Sequence, residues 1–170
     1  IKNFVYPCLL PKNSFIAKVD GVYNGVVVES DFCKKSCFIG EGAGSYPTAT
    51  SVYSDIIGLM ENKSDGQNIK EKLNNYKIMF LNERFGSYYL RFITEDRPGV
   101  ISGIANEFKN NNISMKSMLQ KDPQKNIKKN ATIVITTHNC LERDMMKALK
   151  KINSLKFIKN KTVYIRIEDL

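Results

Sequence analysis

A chain of 170 residues has room for one or two domains and for a core packed without disulfide or metal staples. Its 42% hydrophobic and 25% charged residues are an ordinary globular balance, which excludes a mainly disordered or collagen-like protein. No apolar run approaches the ~20 residues of a membrane helix, and Ile1-Lys2-Asn3 leads into a strand-like stretch rather than a signal peptide, so no membrane partner and a cytoplasmic location are expected.

Phe4 to Leu10 predicts a short strand, interrupted at Pro7 and stopped at Pro11, hence an edge or irregular one. Val22 to Glu29 is β-branched and unbroken, the pattern of a buried strand, and Ser36 to Gly40 returns as its hairpin partner after a polar turn. Gly40, Gly42 and Gly44 then alternate up to Ser45 and Pro47, start signals for a helix whose apolar face is Ala49, Val52, Tyr53, Ile56, Ile57 and Met60. Residues 61–86 are polar and predict a linker, with some helix around Ile69 to Tyr76.

From residue 87 the elements tighten. Tyr88 to Thr94 predicts a strand, and Glu95 to Gly99 a turn opening a helix faced by Val100, Ile101, Ile104, Ala105 and Phe108. Ile113 to Leu119 alternates as a second strand, Asp122 to Asn130 is a charged loop, and Ala131 to Thr137 is a third strand. Asn139 is placed to cap the next helix, with Glu142 three residues on in capping-box position, and Leu141, Met145, Leu149 and Ile152 on its face. Thr162 to Ile167 closes the series, so residues 87–170 follow the βαββαβ order of a ferredoxin-like fold and the chain as a whole is α+β.

The net charge of +9 is uneven: residues 1–86 hold 10 basic and 9 acidic side chains, residues 87–170 hold 16 and 8. The excess is scattered lysine with few interleaved arginines or aromatics, so the stacking platforms of a single-strand binder are missing and a solvated face, without a nucleic-acid partner, is the favoured reading. Cys33 and Cys37 have nearly metal-site spacing, yet with Cys8, Cys140 and the single His138 they lack a second pair. Free thiols and no metal are expected.

Asp96-Arg97-Pro98-Gly99-Val100 after such a strand, then Ile104-Ala105 and Asn112-Ile113-Ser114, resembles an ACT domain over nearly all of residues 87–170. The resemblance implies an amino-acid sensor that pairs with a second copy, its ligand lying between the strand–helix turn of one copy and the second strand of the other. Asp96, Gly99, Val100, Asn112 and Ile113 are then the candidate effector residues. Free amides around Gly99 and the helix dipole suit an α-carboxylate; the same four residues Asp96 to Gly99 can also be only a tight turn and cap.

The first half is similar to the end of the catalytic region of homoserine dehydrogenases, through Tyr6-Pro7, Leu10-Pro11-Lys12, Val19 to Asn24, Val28-Glu29, Gly40 to Gly44 and Pro47-Thr48-Ala49 through Val52 and Asp55. It departs from that pattern at Ser30 and at Asp31 to Lys35, where a glycine-bearing turn is usual. The resemblance implies residues 1–60 as the end of a catalytic and substrate domain, a partial antiparallel or mixed sheet, with 61–86 a linker and 87–170 a regulatory ACT domain. It also implies NAD(P)-dependent interconversion of homoserine and aspartate semialdehyde, threonine as effector, and a homodimer through the ACT domain and the substrate-domain sheet. Gly42, Ala43, Gly44, Pro47 and Thr48 are the matching cofactor-side positions, read either as backbone brought close to the nicotinamide end or as a glycine-rich start to a helix and nothing more. No strand–Gly-x-Gly-x-x-Gly–helix unit occurs in the chain, so NAD(P) is expected to be held mainly elsewhere, no catalytic residue is assigned, and the chain, which begins at Ile1, reads as a processed or trailing piece that is inactive alone. The competing reading is a stand-alone ACT-type amino-acid-binding or dimerisation module.

Overall fold

The structure is a computed structural model that describes residues 1–61, 75–121 and 130–169. The chain divides into two compact units, residues 1–9 with 76–169, and residues 10–75.

The larger unit is built on β4 (Phe85–Glu95), α2 (Val100–Asn110), β5 (Met115–Lys121), β6 (Asn130–Thr137), β7 (Cys140–Leu141), α3 (Glu142–Ile152) and β8 (Val163–Ile167), with β1 (Cys8–Leu9) added from the chain's start. Strict alternation along β4 and β6 turns Tyr88, Leu90, Phe92 and Thr94, and Ala131, Ile133, Ile135 and Thr137, to one face. That face carries α2 and α3, whose Ile104, Phe108, Met145 and Ile152 complete the core. The sheet order is β1-β8-β4-β6-β5, antiparallel except that β1 runs parallel to β8. Strands β4, β5, β6 and β8 therefore have the ferredoxin-like arrangement read from the sequence, and β1 covers the edge of β8 through Cys8–Arg166 and Leu9–Ile167. At the opposite edge β5 is exposed along its whole length.

The smaller unit holds β2 (Tyr23–Ser30), β3 (Lys34–Glu41) and α1 (Ser45–Glu61). The hairpin expected from the sequence is present and pairs from Tyr23–Glu41 to Ser30–Lys34, its second strand starting at Lys34 rather than at Ser36. Its turn uses no glycine; Lys34 takes the left-handed conformation at φ 56°, and the Ser30 hydroxyl accepts a hydrogen bond from the Cys33 amide at 3.2 Å.

Two local expectations are corrected. The run Val22 to Glu29 does not form a buried strand: it lies in a two-stranded ribbon, with Val26 60% and Val28 46% exposed, because no second layer of the described chain covers it. Asn139 does not cap α3, which starts at Glu142 after Leu141 with no side-chain cap. The Glu142 carboxylate is drawn instead into a buried ion cluster. Of the charged loop expected over Asp122 to Asn130, residues 122–129 lie outside the described residues and Asn130 opens β6; the helical turn expected from Ile69 lies outside them up to residue 74.

Candidate functional site

The turn between β4 and α2 walls a cavity of about 170 Å³, whose lining includes Thr94, Asp96, Gly99, Val100, Gln120 and Ile133. Gly99 occupies the N-cap position at φ 91°, a left-handed conformation that a side chain would strain. Its carbonyl accepts the Gly103 amide at 2.9 Å. No side chain caps α2, so the amides of its first turn, whose residues Val100 and Ile101 line the cavity, have no side-chain acceptor and stand at the positive end of the helix dipole. Glu95 is engaged by Arg97 at 2.8 Å and by Lys159; the hydrogen bond from Lys159 and then that from Arg97 outweigh desolvation and lower its pKa. Asp96 is exposed and has no ion pair among the described residues.

Of the five effector residues expected from the sequence, three meet here: Asp96, Gly99 and Val100. Asn112 and Ile113 lie past the far end of α2, whose 11 residues span about 16 Å along the helix axis. Asn112 is left-handed at φ 56°, and Ile113 is buried, with its amide bonded to the Phe108 carbonyl at 2.9 Å. One chain alone does not bring the five together. Thr94 and Gln120 line the cavity and were not singled out by sequence; the available signal was Thr94 falling on the inward phase of β4 with Tyr88, Leu90 and Phe92.

The residues Gly42, Ala43, Gly44, Pro47 and Thr48 do form one continuous turn into α1. The Gly42 amide is held by the Val22 carbonyl at 3.0 Å, Gly44 stands at φ 131°, and the Thr48 hydroxyl and amide both return to the Gly44 carbonyl, at 2.7 and 3.2 Å. The segment from Gly42 to Thr48 carries no acidic or basic side chain and is almost wholly exposed. It offers backbone, not charge.

At the other end of the ACT-like sheet lies a buried ion cluster that sequence reading did not anticipate. Arg84, Tyr88, Glu142 and Arg166 are each 9% exposed or less. Tyr88 donates to Glu142 at 2.7 Å and Arg84 to the Tyr88 hydroxyl at 3.1 Å, while Arg166 forks onto Glu142. Arg84 also meets Glu168 at 2.5 Å, and Tyr6 donates to the same carboxylate at 2.7 Å, so the segment before β1 is tied in. Burial works against the charge on Arg84, but hydrogen bonds to Glu168 and Tyr6 outweigh it and raise its pKa. Burial, then the hydrogen bond to Glu142, holds the Tyr88 phenol well above its usual range. The cluster balances two guanidinium groups against two carboxylates, and its closure and burial fit a structural joint rather than a reactive centre. Nearby Cys140 is buried, and desolvation pushes its thiol up to about 11, leaving it inert at neutral pH. No group of three His, Cys, Asp or Glu side chains among the described residues could hold a metal, and no helix among them is long and apolar enough to cross a membrane.

Comparison with known proteins matches residues 1–57 to the family model of homoserine dehydrogenase and residues 88–157 to that of the ACT domain. A homoserine dehydrogenase of Helicobacter pylori is 33% identical over 165 residues, covering 97% of this chain and 39% of the relative. One from Neisseria gonorrhoeae is 31% identical over 174 residues, covering 98% and 40%. The crystal structure of a homoserine dehydrogenase from Thiobacillus denitrificans superposes with a TM-score of 0.85 at 30% identity, covering 99% of this chain and 39% of that one. The chain thus spans about two fifths of the length of these relatives.

Proposed function

We propose, for a chain whose residues 1–57 belong to the homoserine dehydrogenase family and whose residues 88–157 are an ACT domain, that it is the C-terminal regulatory portion of such an enzyme. In this reading the complete protein interconverts homoserine and aspartate semialdehyde with NAD(P), and the ACT domain adjusts that activity to an amino acid, threonine. The observation that carries it is the likeness over 99% of the chain to a solved homoserine dehydrogenase at 30% identity, with the turn cavity as the place for an effector.

The exposed, uncharged turn from Gly42 to Thr48 fits the nicotinamide end of NAD(P), which carries no negative charge, better than its pyrophosphate, for which the Gly-x-Gly-x-x-Gly spacing is missing. Bound there, the dinucleotide would supply the hydride acceptor or donor. The turn would supply backbone contact and α1 the face that docks against the nucleotide-binding domain. Neither performs proton transfer, so the 170 residues alone are expected to be inactive.

The effector site is completed by a second copy. With β8 covered by β1, the free sheet edge is β5. Antiparallel pairing of two β5 edges sets the start of one strand beside the end of the other. Asn112 and Ile113, just before β5, then approach the partner's cavity beside Gln120. The β2–β3 ribbon offers the second dimer surface.

Two measurements test this reading. Calorimetry of the chain with millimolar threonine is expected to give heat and a thermal shift. Homoserine-dependent NAD(P) reduction is expected to be nil for the chain alone and, in the complete protein, lowered by threonine. Turnover by the chain alone, or no response to threonine in either assay, overturns it.

A further inference from the structure

We propose that residues 4–9, matched in sequence to the dehydrogenase region, are a latch that closes the β8 edge of the ACT-like sheet, with Tyr6 as its pin, and that the latch keeps further copies of the chain from adding at that edge. The inference goes beyond the regulatory reading above and takes from it only the pairing of two copies through β5.

The two sheet edges differ in character. β5, the open one, carries Lys116 and Lys121 and a bulge between Met115 and Ser117, devices that limit indiscriminate strand pairing. β8 has none of them. Its run Val163-Tyr164-Ile165-Arg166-Ile167 is β-branched and aromatic apart from one arginine, and that guanidinium turns inward to Glu142. A strand of this kind left uncovered is a template for pairing with another chain. With β5 and β8 both available, each copy would offer two edges, and pairing would run on into an open array instead of closing at two.

The cover is short, so its hold comes from side chains. β1 contributes the pairs Cys8–Arg166 and Leu9–Ile167, and the Leu9 carbonyl accepts the Glu168 amide at 3.0 Å. Pro7 and Pro11 bracket this ladder and have no amide with which to lengthen it. Tyr6 supplies the grip. Its hydroxyl donates to Glu168 at 2.7 Å and accepts from Arg84 Nε at 3.1 Å, and the Arg166 guanidinium lies 4.6 Å from its ring centroid. Arg84 also reaches the Ile167 carbonyl at 3.2 Å, at the end of β8. Three side chains of the ACT-like unit therefore hold one side chain of the latch, while neighbouring Val5 is 98% exposed. The Arg84–Glu168 pair does not need Tyr6, so removing the pin opens the latch without dismantling the ion cluster.

The test compares the full 170-residue chain with Tyr6→Ala, Tyr6→Phe and Val5→Ala by amide hydrogen exchange in NMR spectra and by sedimentation velocity over a range of concentrations. In wild type the Glu168 amide, bonded to Leu9 close to the chain's end, is expected to be protected. Tyr6→Ala is expected to exchange there at least tenfold faster, to keep the Phe92 amide protected, and to sediment as species larger than wild type that grow with concentration. Val5→Ala behaves as wild type. Tyr6→Phe loses only the hydroxyl; it is expected to exchange at least threefold faster at Glu168, and it decides the matter should Tyr6→Ala not fold. An unprotected Glu168 amide in wild type, unchanged exchange in the Tyr6 variants, or fast exchange without larger species overturns the latch. A monomeric wild type overturns the β5 pairing proposed above, and the latch stands if Tyr6→Ala still frees Glu168 and associates.

Discussion

In the sheet and first helix of the ACT-like unit, Leu90, Phe92, Ile104, Phe108 and Ile133 are no more than 1% exposed, while in the hairpin and α1 the equally apolar Val26, Ile39, Val52 and Ile56 are between 50% and 60% exposed. Both regions have clear periodicity, period two in the strands and helical spacing in the helices. What differs is the second layer. β4 and β6 have two helices laid across them, whereas α1 has no buried residue along its 17 positions. Periodicity therefore specifies which face is apolar and says nothing of what covers it. The cover for α1 and the β2–β3 ribbon is not among the described residues, and so large an apolar surface marks an interaction face.

The contrast can be attacked at its strongest point first. Phe92→Ala removes a ring at the centre of the core and is expected to cost about 3–5 kcal/mol in urea unfolding followed by circular dichroism. A loss below about 1 kcal/mol would mean that the ACT-like core is not the stable part of the chain.

The ion pairs repeat the contrast. Lys35 and Glu29 sit 3.9 Å apart on the ribbon, 42% and 72% exposed, and exchanging either for alanine is expected to change stability by less than about 0.5 kcal/mol. Glu142→Ala strands the buried guanidinium of Arg166 and takes the acceptor from the buried Tyr88 hydroxyl, and is expected to cost about 3 kcal/mol or more. Equal effects at the two sites in parallel urea titrations would contradict the burial described for the cluster.

A smaller effect depends on pH. Burial alone would raise the Glu168 pKa, but hydrogen bonds from Tyr6 and Arg84 outweigh it, and the group lies below its ordinary value of 4.5. A carboxylate depressed on folding stabilises fully above its unfolded pKa, and that contribution is lost as pH falls through the folded value. Melting temperature is therefore expected to fall as acid is added from about pH 5 downward, and Glu168→Gln is expected to be less stable at neutral pH with a shallower acid slope. An unchanged slope would remove Glu168 from the joint that holds the first nine residues to the sheet.

How far the sequence could be read follows the same division between local and distant causes. The βαββαβ order, the hairpin and the turn at Asp96 to Gly99 rest on alternation, β-branching and turn chemistry within a few residues, and all are present. The Asn139 capping box failed because the Glu142 side chain is claimed by Arg84 and Arg166, which lie 58 and 24 residues away and are invisible in a four-residue window. The parallel pairing of Cys8 and Leu9 with β8 is likewise a contact between chain ends, too short to leave a pattern. Thr94 stood in the right phase of its strand, but the absence of a partner for its hydroxyl is a property of the packed core. Asn112 and Ile113 were grouped with Gly99 through family resemblance, and α2 holds them at its opposite end.

The least effect is expected where the contrast is most open to challenge. Ile56 is half exposed on α1, so truncation to alanine removes side chain that is already partly in water and leaves no closed cavity. The expected cost is below about 1 kcal/mol, against the several for Phe92→Ala, because the cavity contribution is absent and only part of the transfer contribution remains. If Ile56→Ala instead costs as much as Phe92→Ala, the α1 face is covered in solution, and the stability of the chain should then rise with its concentration. Sedimentation of wild type beside Ile56→Lys separates the cases. A self-associated wild type that becomes monomeric on adding the charge places a second copy on α1. Two identical sedimentation profiles leave the face open for a different domain, as the proposed docking of α1 requires.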